Sequence, residues 1–470
     1  MPEPRVWQLT AGSAVLGLAL AAAAATAAGP WDGGQRTAER ARAAAPAAGG
    51  ERHPAPAAAP TAPPRTEPAP APAPSAAGVL TALAAPDPGP RPADLARTLV
   101  PLLADPGLGT SRTASVVDTA TGRQLYGEGA GTPMTPASTV KIATAAAALS
   151  ALGPDHRIAT TVTAAPDGAA VTLTGGGDPT LDEARLKALA ADTARALAKR
   201  GRTSVRLAYD TGLYQGPAVH PIGPNENLAP VTALMTDEGR LDGSSGGPAP
   251  RSGDPARDTA TAFAAHLADA GLKVTGDPAP GRTPKGAPLA RTHSAPLADL
   301  VERTLTNSDN DLAEALARQT ALAREQPASF RGAEKAVRAE LGELGVPLAG
   351  ARFADGSGLD RRDRVSAALL TGLLARAADP ARPELRPLLT GLPVGGFTGT
   401  LAGRYGQAPA GAGLVRAKTG TLTGVNTLAG TVVTTDGRLL AFAFLASATP
   451  SPDLAQPALD RLSAALTGQK

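Results

Sequence analysis

The chain has 470 residues, room for two or three domains and a large core. Its 45 Lys and Arg nearly balance 42 Asp and Glu, leaving a net charge of +3 with no Lys/Arg block of five or more, so a nucleic-acid partner is not expected. Cysteine is absent, which excludes disulfides and thiolate metal sites; the five histidines (His53, His156, His220, His266, His293) never fall at ligand spacings, so no metal or cofactor is expected.

After Arg5, residues 6–29 carry no charge and end in an Ala-rich run full of small-x-small sites. Residues 1–29 therefore read as a secretory signal with a cleavage option near Ala28, or as a single membrane-anchoring helix. Either reading puts the rest of the chain outside the cytoplasm, at the cell wall or cell surface. Residues 30–91 are rich in Ala and Pro, as in Pro68-Ala69-Pro70-Ala71-Pro72. Such a segment cannot bury a core and favours extended polyproline-II spacing, so a disordered stalk is expected.

The folded part begins near residue 92. A helix is expected over 94–104, with Leu95, Leu99, Leu102 and Leu103 on one side. A hairpin follows over 114–118 and 123–126. An Ala-rich helix then runs from Ser138 to about Leu152, where Gly153-Pro154 ends it. Between 156 and 290 the texture changes to short strands at 157–162, 170–174 and 204–209, a helix at 181–200, and Gly- and Pro-rich loops through Pro255. This reads as a smaller, β-rich domain inserted between 92–155 and 291–470. The later part is helical at 297–305, 312–322, 332–344 and 367–377. A strand at 415–421, a hairpin of 427–434 with 438–446 around Asp436-Gly437, and a closing helix at 454–466 complete it. Strands interrupted by a helical block argue for an α+β fold, an antiparallel sheet with helices packed on it.

Three short motifs carry the chemistry: Ser138-Thr139-Val140-Lys141, Ser308-Asp309-Asn310 and Lys418-Thr419-Gly420. With 8 Lys and 5 Asn in the chain, the trio has a chance expectation on the order of 0.01 before order is required. Ser138 and Lys141 share a helix face, so the amine can reach the hydroxyl and, if neutral, take its proton. Burial and a nearby cation lower a lysine pKa, and Lys418 is the expected cation. The helix start offers free N–H groups for an oxyanion. Ser308 could pass a proton to a leaving amine, and Asn310 has both donor and acceptor for a substrate amide; alone, Ser308 or Asp309 could equally cap the next helix. Lys418, Thr419, Gly420 and Thr421 lie on an expected edge strand. An extended peptide can add to such an edge, its carboxylate meeting the Lys418 amine and the threonine hydroxyls. The Thr421 N–H would complete an oxyanion hole with that of Ser138.

The ordered trio is a signature of class A β-lactamases and penicillin-binding proteins. The chain resembles, more narrowly, the D-alanyl-D-alanine carboxypeptidase/endopeptidase family of low-molecular-mass class C penicillin-binding proteins. The resemblance spans about residues 93–466 and includes Leu173-Thr174-Gly175-Gly176-Gly177-Asp178-Pro179, Asp355-Gly356-Ser357-Gly358-Leu359 and Leu392-Pro393-Val394-Gly395-Gly396. It implies a β-lactamase/transpeptidase-like fold and a serine acyl-enzyme formed on peptidoglycan stem peptides, with β-lactams as inhibitors. By that analogy Ser138 attacks, Lys141 deprotonates it, Ser308 relays the proton and Asn310 orients the substrate. Lys418, Thr419 and Thr421 hold the terminal carboxylate. Two alternatives stay open. A class A-like serine β-lactamase would need Ser-Asp-Asn closer behind the nucleophile and a water-activating Glu, for which Pro383-Glu384-Leu385 is a superficial match. An inactive cell-wall-binding scaffold would have no reason to keep the amine base.

Overall fold

A computed structural model describes residues 92–468; the expected signal or anchor at 1–29 and the stalk at 30–91 lie outside the described residues. In chain order the strands are β1 Ser111–Asp118, β2 Gln124–Glu128, β3 Ala159–Ala164, β4 Ala170–Thr174, β5 Ser204–Asp210, β6 Lys273–Val274, β7 Ala279–Pro280, β8 Ala290–His293, β9 Val415–Leu422, β10 Val425–Val433 and β11 Leu439–Ser447. Among the described residues no helix is long and apolar enough to cross a membrane.

The first sheet is antiparallel, in the order β2-β1-β11-β10-β9. Its central strands are buried on both faces, and side-chain alternation sorts them into two cores. Leu428, Phe442 and Phe444 face the Pro92–Leu103 and Pro452–Ala465 helices. Ala429, Ala441, Ala443 and Leu445 face the helical block. At the centre of that block lies the Lys141–Leu152 helix, whose residues from Lys141 to Leu149 are all buried. An Ala-rich helix without a polar stripe has to be surrounded by protein. The small Ala145–Ala148 side chains let neighbouring helices and the sheet come close.

The second sheet, residues 159–293, is mixed. β3 pairs antiparallel with β4 and β8, while β5 pairs parallel with β4, β6 and β7. The helices Glu183–Ala198 and Pro255–Asp269 bury Leu186, Leu189, Leu197, Phe263 and Leu267 against Val162, Val171, Leu173 and Leu207. Asp182 and Asp254 cap these helices by accepting the Arg185 and Arg257 amides. The Pro255–Asp269 helix and β6–β8 have no counterpart in the sequence expectation. The helix is built on Ala and Thr with only two large apolar anchors, and β6 and β7 are two residues each. From 211 to 254 the chain forms a long connection with one turn of 3₁₀-helix, and it packs back against Arg303, Asn310, Asp311 and Asp355.

One element begins later than expected. Ser138 is not in the α-helix but in a 3₁₀ turn, Ala137–Val140, that leads into it. Ala137 sits at φ 48°, in the left-handed region, which a right-handed α-helix cannot include. The tighter turn suits the chemistry, because residues i and i+3 eclipse in a 3₁₀-helix and Ser138 stands directly over Lys141.

Candidate active site

The three motifs converge. Lys141 Nζ donates to Ser138 Oγ at 2.9 Å, to Asn310 Oδ1 at 2.7 Å and to the Ser357 carbonyl at 2.6 Å. Lys141 is fully buried. Burial pushes its amine down to about 8, against the pull of Asp355, Asp309, Glu314 and Asp363. The amine is therefore aimed at the serine and holds its proton weakly.

Two backbone approaches hold the Ser138 turn. A Cβ on Gly358, whose φ is 86°, would lie 2.1 Å from the Ala137 carbonyl oxygen; one on Gly420 would lie 2.1 Å from Thr427 Oγ1 and 2.7 Å from the Pro136 carbonyl oxygen. Both positions demand glycine, since no side chain fits between the turn and its neighbours. Thr427 Oγ1 donates to the Pro136 carbonyl at 2.8 Å, tying the turn to β10.

Ser308 stands at φ 58° on the short link before the Asn310–Ala323 helix. Asp309 is that helix's cap, accepting the Leu312 amide at 3.0 Å. Ser308, Asn310, Ser138 and Thr421 line one cleft of about 230 Å³. The partner of Lys141 in the second motif is Asn310, not Ser308. Asn310 also donates to the Asn227 carbonyl at 2.9 Å, so both ends of its amide are held by protein.

β9 is an edge strand, as the motif requires. Residues 393–395 already cover its first half: Ala417 N–H donates to the Pro393 carbonyl and Gly395 N–H to the Val415 carbonyl, each at 2.9 Å. By antiparallel alternation the Thr419 and Thr421 amides point to the same side, toward the cleft. Lys418 departs from expectation. It is fully buried, donates to the Thr419 carbonyl at 2.8 Å, and is not among the residues lining the cleft. Burial, and then the charge of Lys141, push its amine well below the ordinary lysine value. No carboxylate supports its proton as four support that of Lys141, so Lys418 is a poor candidate for the cation that lowers Lys141.

The sequence reading missed the opposite wall of the cleft. Asn227, Arg240, Gly246, Gly247, Pro248 and Arg251 all come from the 211–254 connection. Arg240 donates to Glu238 Oε2 at 2.8 Å, to Ser244 Oγ at 2.9 Å and to the Gly247 carbonyl at 3.0 Å, which holds the 244–248 loop in place. Arg251 pairs with Asp311 at 2.9 Å, both side chains being buried. Arg303 pairs with both Glu238 and Asp309. Burial and the neighbouring Asp309 push Glu238 up to about 8 and Asp311 up to about 7. Glu238 reaches this position on a turn in which Asp237 and Glu238 both have positive φ. In the sequence these charges sit singly in a Gly/Pro-rich stretch, and nothing local marks their partners. Glu384, the superficial β-lactamase match, lies 3.9 Å from Arg382 and does not line the cleft.

Comparison with known proteins identifies the family and the fold. Residues 95–245 and 242–466 match the family described as D-Ala-D-Ala carboxypeptidase 3 (S13). The chain is 39% identical over 390 residues to Carboxypeptidase DacB of Mycolicibacterium smegmatis, covering 79% of this chain and 83% of that one. It is 30% identical over 455 residues to a D-alanyl-D-alanine carboxypeptidase of Actinomadura sp., covering 75% of this chain and 80% of that one. Penicillin binding protein 4 from Haemophilus influenzae shares the fold, with a TM-score of 0.66 at 23% identity over 80% of this chain and 98% of that one.

Proposed function

The chain belongs to the D-Ala-D-Ala carboxypeptidase 3 (S13) family of serine peptidases, and on that premise we propose that it cleaves peptidoglycan stem peptides through an ester on Ser138. The neutral Lys141 amine takes the Ser138 proton as Oγ attacks the carbonyl of the penultimate D-Ala. The Ser138 and Thr421 N–H groups receive the oxyanion. The proton passes by way of Ser308 to the nitrogen of the terminal D-Ala, the C–N bond breaks, and D-Ala leaves. Water then hydrolyses the ester, giving its proton back through Lys141. Thr419 and Thr421 hold the terminal carboxylate, with Lys418 buried behind them against the Thr419 carbonyl and Gly420 letting the peptide lie close to β9. Asn310 orients the amide once substrate displaces its present partners. Penicillin acylates Ser138 by the same route, its lactam standing in for the D-Ala-D-Ala amide. The same acyl-enzyme serves endopeptidase cleavage between stems. The substrate places the enzyme outside the cytoplasm, secreted or tethered through residues 1–29.

One observation carries this reading: a fully buried lysine amine 2.9 Å from a serine hydroxyl at the mouth of a cleft. Ser138→Ala removes one oxygen and is expected to abolish covalent penicillin labelling, read by intact mass, while leaving the circular dichroism spectrum unchanged. An adduct on a different residue of that variant would overturn the assignment.

A further inference from the structure

Behind Lys141 lies a buried polar network that the reaction does not use directly. Asp355 is at its centre. Its Oδ1 accepts the Gly358 amide at 2.6 Å; its Oδ2 accepts the Asp360 amide at 2.7 Å and Ser357 Oγ at 3.1 Å. Glu314 accepts the Gly356 and Ser357 amides, each at 3.0 Å. Together these bonds fix the 355–358 loop, whose Ser357 carbonyl accepts a hydrogen bond from Lys141 Nζ at 2.6 Å.

A further donor to Asp355 comes from the 211–254 connection. His220 Nδ1 accepts the Ile222 amide at 3.3 Å, which leaves Nε2 to donate to Asp355 Oδ2 at 3.0 Å. The His220 and Asp355 side chains are 2% and 0% exposed, so this pair is sealed from water. Phe330 fixes the imidazole edge-on at 5.3 Å, and the Arg318 guanidinium lies 4.0 Å over the same ring.

We propose that His220 is a positioning residue for Lys141, acting through Asp355 and the Ser357 carbonyl, so that the second sheet's long connection helps set the strength of the base. The inference rests on Lys141 being that base. The groups facing Lys141 are the acids Asp355, Asp309, Glu314 and Asp363 and the buried amine of Lys418. Those facing His220 are Asp355, Glu314 and Asp360, with Arg318 across the Phe330 ring. Burial opposes the charge on Asp355, but bonds from His220 and Asp363 hold its carboxyl below the usual range. Without the His220 N–H, the negative charge on Asp355 is less neutralised, and Lys141 holds its proton more tightly. The acid limb of the acylation profile then moves to higher pH. A one-unit move is about a tenfold loss at pH 7 that disappears once the amine is neutral in both proteins.

The test is the second-order rate of benzylpenicillin acylation between pH 6 and 10, with the full chain and its His220→Leu, His220→Gln and Lys141→Ala variants. Gln presents an N–H near the position of the imidazole Nε2 but cannot titrate. The expected result is about tenfold slower acylation of His220→Leu at pH 7, a gap that closes by pH 9.5, and rates for His220→Gln within threefold of the parent. A loss equal at every pH, no loss, or a Gln variant as slow as Leu would overturn the inference. If Lys141→Ala acylates at the parent rate, the base itself is misassigned; if it is inert while His220→Leu keeps the parent profile, only the role of His220 fails. Should His220→Leu not fold, Asp355→Asn decides: removing that charge moves the limb to lower pH, and an unmoved limb overturns the inference.

Discussion

A lysine can serve as a base near neutral pH only if the protein makes its charged form uncomfortable. Lys141 meets this condition by full burial, while four carboxylates keep the shift from running further. With the amine at about 8, about one tenth of it is neutral at pH 7 and half at pH 8. Acylation by penicillin is therefore expected to rise about tenfold per unit at acid pH and to level off above about 8. Lys141→Arg keeps a charge that cannot be lost near neutral pH and should acylate about 10³-fold more slowly where the parent has levelled off. A flat profile for the parent, or a fast arginine variant, would remove Lys141 from this role. The Ser-x-x-Lys spacing was legible because it is local. The Ser357 carbonyl and the Asn310 amide that aim the amine were not, since they come from distant segments with no mark of the pairing.

Among the elements, β9 bears most directly on where Ser138 stands. The strand passes so close to the 136–138 turn that Gly420 has no room for a side chain. Gly420→Ala has to move either the Pro136 carbonyl or Thr427, and with them Ser138. A displacement of about 1 Å at the reacting groups costs about a hundredfold, so acylation should fall by that order while the thermal melt shifts little. An unaffected rate would mean that the strand and the turn are not coupled. The element boundaries show where sequence pattern suffices. Strands β9–β11 and the helices of the catalytic block follow from apolar periodicity, because each has one face or core to satisfy. The 3₁₀ entry at Ala137 breaks its local rule, as functional turns do. The Pro255–Asp269 helix escaped because Ala and Thr give almost no amphipathic contrast, leaving Phe263 and Leu267 as its main apolar anchors.

At the scale of the molecule, the second sheet's chief contribution is the connection that leaves it. The 211–254 stretch walls the cleft and sends Arg251 to Asp311, one residue beyond Asn310. Arg251→Ala leaves a buried carboxylate without its cation, which typically costs about 3 kcal/mol. A lower urea midpoint is expected, with part of the loss restored by Asp311→Asn in the double variant. Equal stability of the single variant and the parent would show that the contact is incidental. This wall could not be foreseen: a Gly- and Pro-rich stretch reads as a connector, and its charged residues find partners far along the chain, His220 and Asp355 being 135 positions apart. The short strip at 393–395 has a larger effect than its size suggests. It works as a doorstop: on the docking proposed above, a ligand strand sliding along β9 is halted beside Ala417, just past the residues that grip its carboxylate. A chain that finishes there fits, and one that continues must bend away, so a backbone seal no more than three residues long can favour trimming ends over cutting middles.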